Sequence, residues 1–305
     1  MNIISLDKKM TWIDIEKPGL NDIEYLKQNF HFDSTVLSEL IPDTVRTKVD
    51  TYNNFFYIVL HFPALHKEKK VIHSQELDIL ITKDCIVTLH KEVLVPLKAI
   101  FDKCNLYEEE KIKYMSGGPS KLLYFTLDSI LNASFAELDY ISANIDRVEK
   151  AIFQGMEKEM IREISTIKRN ILDFRRAIKP QRQILESLNV AVNKFFDHNE
   201  EFSPFYNDLL GHHLRIWDTM ENYKELTESL ESTNTTLFSS KLNETIRILT
   251  IFTAIMMPIS IIVGFFGMNV SVPLQNHPQG FLLVISIILL ATFIIYAYFK
   301  KKKIL

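Results

Sequence analysis

The chain has 305 residues, 47% of them hydrophobic, and its 35 Lys and Arg nearly balance 38 Asp and Glu, for a formal net charge of −3. That balance gives no whole-chain basic field, so no nucleic-acid partner is expected. Cys85 and Cys104 make neither a CxxC pair nor a disulfide framework and read as reduced cytosolic thiols.

In chain order, the N-terminus "MNIISLDKKMTWIDIEKPG" lacks the apolar core of a signal peptide, and the chain is expected to start in the cytosol. Residues 1–118 read as an α/β domain. "NDIEYLKQNF" and "STVLSELI" have helical spacing, with Ser34 placed to cap the second. Phe55–Phe62 and Glu76–His90 are β-rich, the latter with a Lys-Asp turn in its middle. "SGGP", Ser116 to Pro119, then punctuates the chain.

Residues 119–245 read as long helices. One is expected from Ser120 to Phe153 and a second from Glu157 to Phe196, bent by Pro180. Between Phe205 and Met257 there is no proline and one glycine, Gly211. Tyr206, Leu209, His213, Ile216, Met220, Tyr223, Leu226 or Thr227, and Leu230 recur at steps of three and four, as a helix seam requires. Such a helix would be roughly 80 Å long at 1.5 Å per residue. Asp197 to Glu231 holds nine acidic residues against Arg215 and Lys224. That stretch is either a solvated face or a negative field that concentrates cations.

Residues 246–305 read as a membrane hairpin. Ile248–Phe266 and Phe281–Phe299 are uncharged runs of about 19 residues, long enough to cross ~30 Å of hydrocarbon as helices. Lys241 and Arg247 precede the first, Lys300 to Lys303 follow the second, and the loop between has no Lys or Arg. The positive-inside rule puts both termini in the cytoplasm and the loop outside, making a multi-pass protein of the cell (inner) membrane with lipid as a partner.

One face of the first span carries Asn243, Ile246, Leu249, Thr253, Met257, Ser260, Gly264 and Gly267. Small-residue stripes also serve plain packing. Two spans cannot enclose a channel, but a ring of first spans from several subunits can. The stripe residues then form rings, whose hydroxyls and amides touch a hydrated ion while Ile246, Leu249 and Met257 gate by dewetting. Asn269, in "GFFGMN", would offer neutral amide oxygens at the outer mouth. Mg²⁺ sheds water reluctantly, so reading its hydrated form avoids the dehydration cost.

Gly267-Met268-Asn269 after the first of two C-terminal spans, with "MMPISIIVGFFGMN" and a closing "YFKKKK", resembles the signature of the CorA-type magnesium transporters. "TWIDIEKPG", "TVRTKVDTYNNFFYIVLHF", "ELDILITKDCIVTLH" and "PFYNDLLGHHLRIWDTMENYKELTESL" also look like family segments in family order. The resemblance implies an α+β membrane protein: a cytoplasmic α/β domain, long helices forming a funnel, and two C-terminal transmembrane helices. It implies a homopentamer that takes up Mg²⁺ passively and also passes Co²⁺ or Ni²⁺, with Mg²⁺ as both transported and regulatory ion and no other cofactor. By the same resemblance Gly267, Met268 and Asn269 form the selectivity filter. Asn243, Ile246, Leu249, Thr253, Met257, Ser260 and Gly264 line the pore, and Glu39 and Asp208 form an intersubunit Mg²⁺-sensing site. Phe266 stands where the family usually has Tyr, the loop after Asn269 has no acidic residue, and Glu39 replaces the usual Asp.

The alternatives are a Zn²⁺ transporter of the ZntB type and a membrane-anchored scaffold. The spans carry no His or Cys, which favours Mg²⁺ over Zn²⁺. His61, His66, His212, His213 and Glu108–Glu110 show no catalytic or metal spacing, and no Walker motif occurs, so no enzyme is expected.

Overall fold

A computed structural model describes residues 1–7, 10–44, 46–66, 68–196, 202–268 and 278–302. The chain divides into two compact units, Met1–Ser232 and Thr233–Leu305.

The first unit is built on a six-stranded sheet of β1 (Asn2–Leu6), β2 (Met10–Glu16), β3 (Lys48–Thr51), β4 (Phe56–His66), β5 (Val71–Ile81) and β6 (Cys85–His90), in the order β1-β2-β6-β5-β4-β3. Only β2 and β6 pair in parallel; the other neighbours are antiparallel. The runs "FYIVL" and "CIVTLH" are buried along their whole length because the middle of the sheet is covered on both faces. On one face Ile13, Ile15, Tyr57, Val59, Leu80 and Val87 pack against α1 (Leu20–Asn29) and α2 (Ser34–Glu39) through Leu26, Val36, Leu37 and Leu40. On the other, Trp12 meets Phe101 of α3 (Val95–Leu106) edge to face, with ring centroids 4.9 Å apart. A short α4 (Glu108–Met115) follows, opened by three glutamates, of which Glu108 and Glu109 are exposed and Glu110 is half-buried.

The remaining helices of this unit are α5 (Gly118–Phe153), α6 (Glu157–Ile178), α7 (Gln181–Phe195) and the first part of α8 (Phe202–Phe266). Gly155, at φ 90°, makes the turn between α5 and α6 in a conformation that β-carbon-bearing residues rarely adopt. Two expectations are corrected here. The cap of α2 is Asp33, whose carboxylate accepts from the Thr35 N–H at 2.7 Å, and Ser34 is already helical. Pro180 does not bend one helix but separates two: α6 stops at Ile178 and α7 starts at Gln181. Proline has no N–H to continue the ladder, and its ring clashes with the carbonyl four residues back. Pro258 sits inside α8, so tertiary and membrane context decide between a kink and a stop.

The helical seam is present, and it faces the protein's own helices. Leu209, His213, Ile216, Met220, Thr227 and Leu230 are buried, and Tyr206 and Tyr223 are half-buried. Thr227, rather than Leu226, is the inward residue: Leu226 is 43% exposed. The Thr227 hydroxyl donates to the Tyr223 carbonyl at 2.7 Å and so meets the apolar face without an unsatisfied donor. His213 Nε2 lies 3.0 Å from the Ile178 carbonyl at the end of α6, and burial lowers the pKa of the ring.

The second unit holds the rest of α8 and α9 (Gly280–Lys301), and both helices are long and apolar enough to cross a membrane.

Candidate functional site

Exposure along the spans has a helical period. On α8 the partly buried positions are 251, 254, 255, 258, 259, 262 and 266; on α9 they are 284, 288, 291, 292, 295 and 299. Each span thus has one face that is less exposed than the rest of its surface. Asn243, Ile246, Leu249, Thr253, Met257, Ser260, Gly264 and Gly267 are all exposed. At 3.6 residues per turn they lie about 180° from the partly buried face of α8. The stripe is thus brought together on the side that one chain leaves uncovered.

Its polar groups are oriented by the helix itself. The hydroxyls of Thr253 and Ser260 donate to the carbonyls of Leu249 and Met256, at 2.9 and 3.0 Å. With each proton spent inside the helix, the outward oxygens are left to act as acceptors, which suits the water hydrogens of a hydrated cation. Gly264 has no atom within 4 Å of where a β-carbon would stand, so nothing in its own chain demands a glycine there. Gly267 differs. Its N–H donates to the Val263 carbonyl at 2.9 Å, and an added β-carbon would lie 2.9 Å from that same oxygen. The glycine is therefore required by close approach at the end of α8. Met268 is exposed, and Asn269 lies outside the described residues.

The two expected sensing residues have separate partners. Glu39 accepts from Lys48 Nζ at 2.6 Å. Asp208 accepts from the Tyr124 hydroxyl at 2.7 Å, and its other oxygen is 3.9 Å from His212 Nε2. His212 Nδ1 is 2.9 Å from Asp128 Oδ1, within ion-pair reach though not angled as a hydrogen bond. Asp128, Asp208 and His212 each bring one ligand atom within 4.8 Å of the others, close enough to hold one metal ion. His212, expected as a plain surface or packing residue, stands beside these two carboxylates. Its neighbour Asp128 stands on α5, and no local spacing in the sequence links the two. Burial raises the Asp128 carboxyl above its ordinary range, with the His212 ring acting against it.

The acidic stretch of α8 is partly neutralised within the chain. Glu231 pairs with Lys168 at 2.6 Å, and Glu221 with Arg175 at 3.4 Å. Arg175 also stacks over Trp217, 5.4 Å from the ring centroid. These contacts dock α8 on α6.

A family model described as "CorA-like Mg2+ transporter protein" matches residues 7–301. The "Cobalt/magnesium transport protein CorA" of Thermotoga maritima is 28% identical over 300 residues, covering 96% of this chain and 83% of that protein. The solved complete structure of the CorA magnesium transporter from Methanocaldococcus jannaschii superposes with a TM-score of 0.81 at 23% identity, over 98% of this chain and 93% of the other. A solved full-length CmaX protein superposes at 0.74 with 18% identity, over 97% and 89%.

Proposed function

The chain belongs to the CorA-like Mg2+ transporter family and is a divalent cation transporter of that kind, and from that premise we propose that it is a homopentameric, Mg²⁺-conducting channel of the cell membrane. Both termini are cytoplasmic, as the placement of Lys241, Arg247, Lys300, Lys301 and Lys302 favours. Five copies of α8 surround the path, with Gly267, Met268 and Asn269 at its outer end. The observation that carries this reading is the exposed stripe from Asn243 to Gly267, whose hydroxyl oxygens are left as acceptors opposite the partly buried face of α8. Apolar Ile246, Leu249 and Met257 on the same stripe supply the constrictions where the path closes by dewetting.

Transport needs no bound energy source. A divalent ion gains about 4.6 kcal/mol per 100 mV of membrane potential, twice the single-charge value. Regulation is by the ion itself: cytoplasmic Mg²⁺ binds carboxylates of the first unit, at Asp208 with Asp128 and His212 and at Glu39, and holds the path closed. When the ion leaves at low Mg²⁺, the open state is released. Co²⁺ and Ni²⁺ also permeate, because the neutral stripe selects on the water shell rather than on a ligand set.

The test is uptake by purified protein in liposomes under an imposed potential, comparing Mg²⁺, Co²⁺, Ni²⁺ and Zn²⁺ with and without a pH gradient. Potential-dependent Mg²⁺ uptake lost in Asn269→Ala is the expected result. Undiminished uptake by that variant would refute the path, and Zn²⁺ uptake that follows the pH gradient would replace the proposed cargo.

A further inference from the structure

Lys48 is the first residue of β3, and its ammonium is held from three sides. It lies 2.6 Å from Glu39 Oε2 at the end of α2 and 2.9 Å from Asp50 Oδ2, two residues along the same face of β3. It also stands over the Tyr57 ring, 4.9 Å from the centroid. The Tyr57 hydroxyl in turn donates to buried Asp78 at 3.0 Å, which fixes the ring beneath the ammonium. The Lys48 side chain is 27% exposed and Glu39's is 39%, so solvent ions reach the pair.

We propose that Lys48 is a tethered competitor cation: it occupies Glu39 when no divalent ion does, and sets the Mg²⁺ concentration at which that carboxylate is captured. This rests on the reading of Glu39 as a Mg²⁺-sensing residue. A divalent ion and an ammonium cannot share one carboxylate oxygen without strong mutual repulsion, so binding at Glu39 requires that Lys48 let go. Such an internal competitor weakens apparent affinity by the ratio of occupied to free carboxylate, as any competing state does. The positively charged form is the one present. Burial alone would lower the Lys48 pKa, but the contacts with Glu39 and Asp50 outweigh it and hold the pKa above its ordinary value. The Tyr57 ring and Asp50 offer the released ammonium a resting place beside the site, so a short shift suffices and no unfolding is needed. Glu39, longer than aspartate by one methylene, has the reach to swing between Lys48 and a metal ion.

The experiment uses full-length protein in detergent, with Mg²⁺ alone as the probe. It measures the Mg²⁺ concentration that half-protects the chain from chymotrypsin. Two partly exposed ion pairs hold Lys48, and Lys48→Met should lower the midpoint by roughly two- to tenfold. Lys48→Arg, which keeps the charge, should restore a midpoint within about twofold of the original. Glu39→Gln should raise the midpoint, and Lys48→Met should add nothing in that background. A purely structural role for Lys48 would loosen the site, never tighten it. If Glu39→Gln moves the midpoint and Lys48→Met does not lower it, the competitor is refuted and the sensing residue stands. If Glu39→Gln leaves the midpoint unmoved, the sensing role falls, and the proposal falls with it.

Discussion

Asp78 offers a stringent test of the electrostatics beneath the Glu39 region. It stands in the middle of β5, 3% exposed, with Glu76 two residues away on the same face and Tyr57 donating to it. Burial first, then the negative charge of Glu76, push its carboxyl from 3.8 up to about 7, against the opposing effects of Tyr57, Lys91 and Lys48. The raised value sets the sign. Between pH 4 and pH 7 the folded protein keeps the Asp78 proton while the unfolded chain loses it, so this group's contribution to stability falls as pH rises and levels off above pH 7. At about 1.36 kcal/mol per pH unit, the full shift corresponds to about 4 kcal/mol, and the window from pH 5 to 7 to about 2–3 kcal/mol. Asp78→Asn keeps an oxygen for the Tyr57 hydroxyl and removes the titration. The assay is thermal unfolding of both proteins from pH 5 to pH 8 by tryptophan fluorescence. The chain's two tryptophans, Trp12 and Trp217, both lie in the first unit, so the spans are silent. The stability of Asp78→Asn relative to the native chain should rise by about 2–3 kcal/mol across that range, roughly 4–12 °C in melting temperature for a unit of this size. Other titrating groups, such as His213, cancel in the difference. Parallel pH profiles with a constant offset would refute the buried charge.

Two further predictions concern α8. Leu209→Ala, at a fully buried seam position, should cost about 2–5 kcal/mol in the same melt, whereas Leu226→Ala, one residue outside the seam, should stay within about 0.5 kcal/mol. Equal costs would mean that the seam is not what docks α8. Gly264→Ala meets nothing in its own chain and should assemble in the membrane normally, yet slow Mg²⁺ flux in liposomes; unchanged flux would remove position 264 from the path. Gly267→Ala must displace the Val263 carbonyl, and it should lower both thermal stability in detergent and flux.

Most of the architecture was legible because it rests on period and length. The β-rich runs, the Gly–Pro punctuation at the start of α5 and the two uncharged spans each carry a one-dimensional signal. Local competition was less legible. Asp33 and Ser34 are both good caps, and the choice turns on which carboxylate or hydroxyl meets the Thr35 N–H. Pro180 and Pro258 are the same residue type in helical sequence, but the first, among charged residues, separates two helices and the second, in an apolar run, sits inside one. Thr227 displaced Leu226 from the seam because its hydroxyl returns to the backbone, a three-dimensional fact that hydropathy ranks the wrong way. The stripe on α8 was legible at the level of spacing. Which side of α8 would be partly buried was not, since two spans can pack in many rotations.

The cluster at Asp208 was the least legible and yields the most specific chemical prediction. Two carboxylates and one imidazole form a mixed donor set, and the metals of interest differ in what they want from it. Mg²⁺ prefers oxygen ligands and keeps its waters, so the His212 ring adds little to its binding. Co²⁺ and Ni²⁺ bind imidazole strongly, so if the cluster holds a metal, His212 would be a principal ligand for them alongside Asp128 and Asp208. His212→Asn should therefore weaken Co²⁺ or Ni²⁺ binding by about tenfold or more, the scale of losing one good ligand, while the Mg²⁺ midpoint shifts by less than about threefold. Asp208→Asn should weaken all three, because it removes charge as well as a donor and leaves the Tyr124 hydroxyl facing a neutral oxygen. Calorimetric titration of the full chain with each ion, at fixed ionic strength, separates these outcomes. If His212→Asn weakens Mg²⁺ and Co²⁺ equally, the imidazole acts only by positioning Asp128, and the three residues are an ion-pair network rather than a metal site.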